Sequence, residues 1–309
     1  MPKSAPDIAV HVAASGPRSV GFRSFPRAAA AQGFVIGIRG TQFQPRSGTL
    51  WRADVAVASE QVVPKTEEVE IVLADGRVAR ARVAGRDRGT NVVAFRLQQP
   101  VEVDLPAAVE PRLGALALVF GADGGGGTIV RMGVVRALGP AWHSLGGGRI
   151  DHRISLDLTI SSAEEGGPVL DASGGLLGMS TAGPRGRALV IPAATIERVL
   201  TPLLTAGRVE RGWLGLALHP VALPEAITAE GGQGRGLMVM RVSSDGPAGK
   251  AGVLAGDILV SVGGAPTGHP GDVARQLGSE SVGQTIELRL IRSGSVLTLA
   301  VMVTARLTK

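Results

Sequence analysis

The stretch ALVIPAATIERVLTPLLTAGRVERGWLGL, residues 188–216, contains the point at which the sequence pattern of the chain changes. Its central part places apolar side chains three and four residues apart, the spacing of one face of an α-helix. We therefore predict a helix over 193–207, with Thr195 as a candidate N-cap and Gly207 as the stop signal. The apolar face of this helix comprises Ile196, Val199, Leu200, Leu203 and Leu204.

Before this helix the sequence has the pattern of many short β-strands. Val-rich segments alternate with turn residues, among them GFVIGI at 33–38 and NVVAFRL at 91–97. Asp75 and Gly76 lie between two such segments and predict a hairpin turn, because Asp-Gly adopts positive φ at low cost. Short strands at this spacing, without long helices between them, predict a mainly β sandwich or barrel.

After the helix a second, smaller unit is predicted. It contains strand patterns at WLGLAL, GLMVMRV, DILVSVG and TIELRLIRSGSVLTLAVMVTA. Its helical segments are short, GPAGKAG at 246–252 and PGDVARQLGS at 270–279. A length of 309 residues agrees with this division, since it exceeds what one hydrophobic core usually serves.

The composition is that of a globular protein and excludes several classes of function. Hydrophobic residues make up 44% of the chain and charged residues 19%. The net charge of +6 would suit an anionic partner, but the arginines are scattered and no aromatic residues are interleaved with them. We therefore expect no nucleic-acid partner. The absence of cysteine excludes disulfides, thiol catalysis and cysteine-ligated metals.

The sequence does not determine the cellular compartment of the protein. The first residues, MPKSAPDIAVHVAASGP, lack the apolar run of a signal peptide, and no stretch approaches the length of a transmembrane segment. The chain as written is expected in the cytoplasm. A mature form recloned with a new Met would look the same and would belong in the periplasm or another extracytoplasmic compartment.

Three segments, taken in chain order, resemble one known family. They are GGGRIDHRISLDLTISSAEEGGPVLDASGGLLGM (146–179), ALVIPAATIERVLTPLLTAGRVERGWLGL (188–216) and GRGLMVMRVSSDGPAGKAGVLAGDILVSVGG (234–264). They are similar to the GNSGGP segment, the linker from FAIP to WLGI and the PDZ domain of bacterial HtrA-type (DegP-like) serine proteases. The resemblance implies a mainly β fold, a chymotrypsin-like double β-barrel followed by a PDZ domain. The implied boundaries are 1–192 for the protease-fold domain, 193–207 for the linker helix and 208–309 for the PDZ domain.

The resemblance also identifies the positions of a catalytic triad, and all three carry other residues here. A triad needs a serine that attacks, a histidine that takes its proton and an aspartate that orients the histidine. The corresponding positions hold Glu165 for the serine, Gln61 for the histidine and Asn91 for the aspartate. The glycine that helps to shape the family's oxyanion hole is Ala163 here.

These replacements predict a pseudoprotease, a protein that binds but does not cut. Glutamine and asparagine side chains do not titrate near neutral pH, so no general base remains at 61 and 91. A glutamate carboxylate at 165 would place negative charge beside the oxyanion that must form during peptide hydrolysis.

Three alternatives remain open. An atypical serine endopeptidase with a rearranged site would use Ser161 or Ser162, although none of the five histidines falls in the segment that faces the nucleophile. A chaperone-like holdase would shield unfolded clients. Glu164 and Glu165 could bind a hard cation, but adjacent residues of an extended segment point apart, so we expect no metal and no cofactor.

The predicted function is therefore the binding of peptide or protein C-termini. PDZ domains add a peptide as a strand to a sheet edge and hold its carboxylate with backbone N–H groups. A second groove is expected in the barrel near Thr181, Ala182 and Gly183. The resemblance implies that the PDZ site contains Trp213, Leu214, Gly215, Leu216, Val273 and Leu277, with Arg275 and Gln276 as further candidates on the helix wall.

The family often forms trimers through aromatic residues near the N-terminus. The segment GFRSFPR offers Phe22 and Phe25 for such a contact. The expected assemblies are a homotrimer or a complex with an active HtrA-type relative.

Overall fold

The computed structural model describes residues 33–39, 46–123, 125–144, 146–223 and 234–305. In these ranges the chain forms two closed six-stranded β-barrels, one long helix and a further sheet that carries two short helices. The predicted mainly β, chymotrypsin-like double-barrel fold is thereby confirmed. Phe22 and Phe25, the candidates for a trimer contact, lie outside the described residues.

The first barrel has the strand order β1-β2-β3-β6-β5-β4. Asp75 and Gly76 form the predicted turn, in which Gly76 has a φ of 82° and its N–H donates to the carbonyl of Leu73 at 2.9 Å. The sequence missed β2, whose Ser47 and Thr49 are buried polar residues. The strands are β1 (Val35–Arg39), β2 (Arg46–Arg52), β3 (Val55–Ser59), β4 (Glu68–Val72), β5 (Val78–Asp87) and β6 (Val92–Leu97).

The second barrel closes in the order β11-β14-β13-β12-β7-β8, and β9 pairs with β10 in a short hairpin outside it. Its interior is filled by its own apolar cluster, which includes Val119, Leu156 and Val169. The strands are β7 (Leu116–Ala122), β8 (Thr128–Gly139), β9 (Trp142–His143), β10 (Arg149–Ile150), β11 (Arg153–Thr159), β12 (Pro168–Asp171), β13 (Leu176–Ala182) and β14 (Arg187–Pro192). A 3-10 turn occupies Pro184–Gly186.

The linker helix, α1 (Ala193–Ala206), forms where the apolar spacing predicted it. Its buried face joins the apolar cluster that fills barrel 1 and the junction between the barrels. Gly207 ends the helix in the left-handed conformation, with a φ of 73°, as predicted. The prediction of Thr195 as N-cap is wrong, because strand β14 runs directly into the helix and Pro192 is the capping residue. The Thr195 hydroxyl instead donates to Asp151 at 2.9 Å.

The C-terminal unit is a sheet with the strand order β16-β17-β18-β20-β21, and β16 lies at one edge of it. One face packs on an apolar core that includes Leu237, Leu259 and Leu288. The elements are β15 (Gly212–Trp213), β16 (Leu216–Ala222), β17 (Arg235–Val242), α2 (Pro247–Lys250), β18 (Ile258–Val262), β19 (Ala265–Pro266), α3 (Pro270–Gln276), a 3-10 turn (Ser279–Ser281), β20 (Thr285–Arg292), β21 (Ser295–Met302) and β22 (Thr304–Ala305).

A bidentate ion pair joins the start of this unit to barrel 1. The guanidinium of Arg211 donates to both carboxylate oxygens of Asp87, each at 2.7 Å. Burial alone would raise the pKa of Asp87, but the hydrogen bonds and charge of Arg211, with hydrogen bonds from Thr90 and Gly89, hold that pKa below its ordinary value. The pair therefore anchors the C-terminal unit to the loop that precedes β6.

No helix among the described residues is long and apolar enough to span a membrane.

Candidate functional site

The three positions that would carry a triad converge at the junction of the two barrels. Gln61 follows β3, and Asn91 comes directly before β6, so barrel 1 supplies both. Glu165 lies in the turn that leads into β12 of barrel 2. The structure thus brings together three residues that the sequence alone could relate only through a resemblance.

The three side chains belong to one hydrogen-bond network with Ser59 and Thr181. The Gln61 amide donates to Oε1 of Glu165, and the hydroxyls of Ser59 and Thr181 donate to the same oxygen at 2.8 and 3.1 Å. The amide of Asn91 donates to the Ser59 and Thr181 hydroxyls at 2.9 and 2.7 Å. The side-chain oxygen of Asn91 accepts from the backbone N–H of Gln61 at 2.8 Å. Two amides, two hydroxyls and one carboxylate therefore form a connected network at the barrel junction.

Asn91 has a backbone conformation that suits its residue type. Its φ of 59° lies in the left-handed region, which asparagine tolerates better than most residues. This conformation accompanies the turn after Asp87, in which the N–H groups of Gly89 and Thr90 donate to the Asp87 carboxylate at 3.0 and 3.2 Å. The Asp87–Arg211 ion pair thus fixes the loop that presents Asn91.

The backbone around Glu165 is folded into a turn that uses its own N–H groups. The N–H of Ala163 donates to the Ser161 hydroxyl at 3.3 Å, and the N–H groups of Glu164 and Glu165 donate to the Ser161 carbonyl, both at 3.2 Å. An oxyanion hole needs free donors aimed at one point. In this turn the N–H groups of Ala163 and Glu165 are already bonded.

The two adjacent glutamates have separate environments. Glu164 pairs with the guanidinium of Arg131 at 2.5 Å and accepts the backbone N–H of Ser161 at 2.7 Å. Glu165 faces the barrel junction and has only neutral donors. The two carboxylates therefore do not converge on one point, and no group of three or more metal-ligating side chains occurs within the described ranges.

The histidines of the described ranges lie in other parts of the fold. His143 is in β9, His152 faces Glu110 at 3.8 Å, His219 is in β16 and His269 caps α3. The Ser161 hydroxyl donates to the Glu164 carboxylate and not to an imidazole. His11 lies outside the described residues.

Sequence reasoning missed the residues that support this turn. Ser47 of β2 accepts the N–H of Ala122 at 2.7 Å and donates to the carbonyl of Ala163 at 2.5 Å. The hydroxyl of Ser180 donates to the carbonyl of Glu164 at 2.6 Å. The available signal was a set of small polar residues inside otherwise apolar strands.

Comparisons with known proteins assign both units to families. A trypsin-like peptidase domain matches residues 46–179, and a PDZ domain matches residues 212–303. One alignment, at 31% identity, joins 76% of this chain to a DegP-like probable serine endoprotease. The chain is an HtrA-type protein.

Curated relatives and solved structures agree with this assignment. The probable periplasmic serine endoprotease DegP-like of Brucella suis is 31% identical over 246 residues, 76% of this chain and 47% of that protein. Periplasmic serine endoprotease DegP of Escherichia coli K12 is 27% identical over 285 residues, 88% of this chain and 60% of that protein. This HtrA-type chain thus spans about half of the length of the curated relatives it matches.

The solved structures share the fold over almost the whole chain. HtrA-type protease AlgW with decapeptide superposes with a TM-score of 0.75 at 23% identity, covering 93% of this chain and 100% of that one. The serine endoprotease from Yersinia pestis gives a TM-score of 0.71 at 23% identity, covering 92% and 98%.

In the PDZ domain of this HtrA-type chain, the predicted site residues lie around the edge strand β16. Leu216 is half-buried and packs on the core cluster that contains Val273 and Leu277. Leu277 is the C-cap of α3, which ends at Gln276, one turn earlier than the sequence predicted. Leu214 is only 3% exposed, so its side chain belongs to the core of the domain.

Gly215 and Trp213 shape the entry to β16. Gly215 has a φ of 80°, and a side chain there would come within 3.0 Å of the Cα of Gly246. Trp213 is half-buried in β15, which pairs with β22. The backbone therefore makes a close turn that glycine allows, immediately before the strand whose outer edge is open.

Proposed function

We propose that this HtrA-type chain is a non-catalytic protein that binds peptide or protein C-termini through its PDZ domain. The observation that carries the proposal is the hydrogen-bond network of Gln61, Asn91 and Glu165. A regulatory or scaffolding role follows, by assembly with itself or with an active relative. The curated relatives are named serine endoproteases, so hydrolysis is the activity against which the proposal must be tested.

The chemistry of the network supports the loss of cleavage. The Gln61 amide donates protons but cannot take one from a nucleophile near neutral pH. Glu165 holds its carboxylate against Ser59 and Thr181, and its own N–H is bonded to Ser161. In a measured protease, loss of the triad lowers the rate by about a millionfold, and the residual activity depends on an intact oxyanion hole. Neither the triad nor free hole donors are present at these positions.

The PDZ edge supports peptide binding. No backbone hydrogen bond between described residues uses the N–H of Leu214 or Gly215, whereas their carbonyls accept from Ala248 and Ser243 at 2.9 and 2.8 Å. Free N–H groups before an open edge strand are suited to a terminal carboxylate followed by an antiparallel peptide strand. Solved structures of HtrA-type protease AlgW with a decapeptide and with a tripeptide support peptide binding by this fold.

The first experiment tests cleavage. Purified protein is incubated with unfolded casein and, separately, with a serine-reactive fluorophosphonate, and we expect neither turnover nor labelling above background. An active HtrA-type serine endoprotease is the positive control, and the triple variant Gln61→His, Asn91→Asp, Glu165→Ser tests whether the residue types of a triad allow the barrel to cut. Turnover by the natural sequence would overturn the proposal.

One specific observation favours an atypical peptidase as the second candidate. The Ser161 hydroxyl donates to the carboxylate of Glu164, an arrangement in which a carboxylate could act as base. The ion pair of Glu164 with Arg131 opposes this, because the carboxylate already has a guanidinium as its partner. Under this alternative, Ser161→Ala abolishes casein turnover and Glu165→Ser leaves it unchanged.

The second experiment tests the PDZ site. Peptides ending in an apolar residue are compared as free acids and as C-terminal amides by isothermal titration calorimetry. We expect the acids to bind and the amides to bind at least about tenfold more weakly, as the loss of charged hydrogen bonds implies. Gly215→Ala crowds the turn before β16. It should lower the affinity for the free-acid peptides to about that for the amidated peptides. Equal affinities for acid and amide would refute C-terminal recognition.

A further inference from the structure

The carboxylate of Glu165 is buried without a cation. The residue is 4% exposed, and no Lys, Arg or His of the described chain lies within ion-pair distance of it. Its neighbour Glu164 is equally buried but has Arg131 as partner. Among buried acids, Asp87 and Asp257 also have an arginine each, so Glu165 is the exception in the part of the chain that the structure describes.

The hydrogen bonds of Glu165 are concentrated on one of its two oxygens. Ser59, Gln61 and Thr181 all donate to Oε1. Oε2 receives no hydrogen bond from the described residues and keeps some contact with solvent, since it is not one of their fully buried polar atoms without a partner. A buried carboxylate is costly unless it is paired and its lone pairs are satisfied. One acceptor site at the barrel junction is therefore left for a donor that this part of the chain does not supply.

The side chain that covers this carboxylate can be displaced. Gln61 is exposed to solvent, unlike Ser59 and Thr181, which are buried strand residues. Its amide is shared between Glu165, Thr181 and the carbonyl of Ala182, the latter two at 3.2 Å. Because a hydrogen bond to a charged group is stronger than one between neutral groups, only a donor of at least equal strength can replace the Gln61 amide at Glu165. Rotation of the Gln61 side chain would open a path from solvent to Glu165 and free an acceptor on Ala182.

We propose that this site binds a cationic group of an extended peptide, an ammonium or a guanidinium, which takes the place of the Gln61 amide against Glu165. The inference rests on the proposed non-catalytic function, since a bound chain must remain uncut. The cation pairs with the Glu165 carboxylate and donates to Oε2. The carbonyl of Ala182, released by Gln61, accepts a backbone N–H of the same peptide. The barrel thereby selects basic peptides independently of the PDZ domain.

The test uses probes that the PDZ domain cannot hold by a carboxylate. N-acetylated, C-amidated alanine pentapeptides carry a central lysine, arginine or uncharged norleucine, and a fourth peptide carries only a free N-terminal amine. Calorimetry on the full chain at low ionic strength gives the four affinities. We expect the lysine or arginine peptide, or the free-amine peptide, to bind about tenfold or more above norleucine, as charge-assisted hydrogen bonds imply. The lysine and free-amine arms distinguish a side-chain cation from an N-terminus.

Variants locate the site. Glu165→Gln should remove the preference for cations, whereas Glu68→Gln, which makes the same charge change on an exposed residue of β4, should keep it. Gln61→Ala removes the covering side chain and should raise the affinity for the cationic peptides severalfold. It also keeps the proposal testable if Glu165→Gln fails to fold. Equal affinity of all four peptides, a preference that survives Glu165→Gln, or a preference unchanged by Gln61→Ala would each overturn the proposal.

These outcomes are separate from those of the proposed function. Casein turnover would refute the non-catalytic function whatever the amidated peptides do. Failure of the amidated peptides to bind would leave C-terminal recognition by the PDZ domain untouched.

Discussion

Replacing Arg211 with alanine should destabilise the protein by about 3 kcal/mol, because it leaves a buried carboxylate without its cation. The side chain of Asp87 is 3% exposed and that of Arg211 is 22% exposed. Gly89 packs against the same guanidinium, since a side chain at that position would come within 2.5 Å of it. The loss therefore includes the ion pair, the packing of the loop that presents Asn91, and the attachment of the PDZ domain to barrel 1.

The pH dependence follows from the direction of the Asp87 pKa. A carboxyl whose pKa is lower in the folded state stabilises the fold above its unfolded value and loses that contribution as pH falls through the folded value. The full difference in the free energy of unfolding between the natural protein and Arg211→Ala is therefore expected at pH 7. It should narrow below about pH 4, where the unfolded carboxyl takes up its proton. In the variant, the uncompensated buried carboxylate is relieved by protonation.

A double-mutant cycle with Asp87→Asn checks this account. Asparagine keeps the shape and an acceptor for Gly89 and Thr90 but has no charge to compensate, so it should recover about 1 kcal/mol or more of the stability lost in Arg211→Ala. Urea unfolding followed by tryptophan fluorescence gives the four free energies. Two results would refute the reasoning. One is that the two substitutions change the free energy of unfolding additively, and the other is that Arg211→Ala lowers it by less than about 0.5 kcal/mol.

Three further perturbations have defined outcomes. Gly207→Ala forces a side chain into the left-handed conformation at the end of α1 and should cost about 1 kcal/mol in thermal unfolding; exposed Gly234→Ala, at a glycine without positive φ and with open space around it, is the comparison. Gly166→Ala, at a φ of 92°, would overlap the carbonyl of Ser47, so we expect insoluble protein or a loss of about 3 kcal/mol or more; soluble protein with an unchanged Tm would contradict the geometry. Arg292→Ala removes the hydrogen bonds and charge that lower the pKa of Asp257, so the Tm of the PDZ domain should fall at pH 7 and fall less at pH 3, as differential scanning calorimetry would show.

The sequence predicted the parts of the fold that depend on local pattern. The spacing of Ile196, Val199 and Leu203 specifies one buried face, and α1 forms with that face against the barrels. The Asp75–Gly76 turn was predictable because positive φ at glycine is a local requirement. Such features need no information from distant parts of the chain.

The parts that failed depend on distant partners. Strand β2 has the polar sequence RSGTLWR, and its Ser47 is buried only because it bonds Ala122 and Ala163 across the barrel junction. Thr195 resembles a cap in sequence, but its partner, Asp151, is far away along the chain. No periodicity of the sequence indicates such contacts. Strand β2 and the role of Thr195 could therefore not be predicted.

The candidate site was likewise predicted only in part. The resemblance aligned Gln61, Asn91 and Glu165 with a triad and so predicted their proximity. It gave no indication that Ser59 and Thr181 complete the network, or that Ser161 accepts the N–H groups of Ala163 and Glu165. The division of the chain at 192 and 207, and the peptide-binding roles in the PDZ domain, stay predictions.

The three residues at the proposed triad positions depend on one another. Glu165 is an acceptor and needs the amide of Gln61, while Asn91 uses both ends of its amide, accepting from the Gln61 backbone and donating to Ser59 and Thr181. A serine at 165 alone would remove one of the three acceptors of the Gln61 amide and would have no base beside it. A histidine at 61 alone would supply a base but no serine for it to activate. An aspartate at 91 alone would add a second carboxylate near Glu165 and lose two donated hydrogen bonds. No single change therefore supplies both a nucleophile and its base, and only the simultaneous change of all three positions tests whether the barrel can cut.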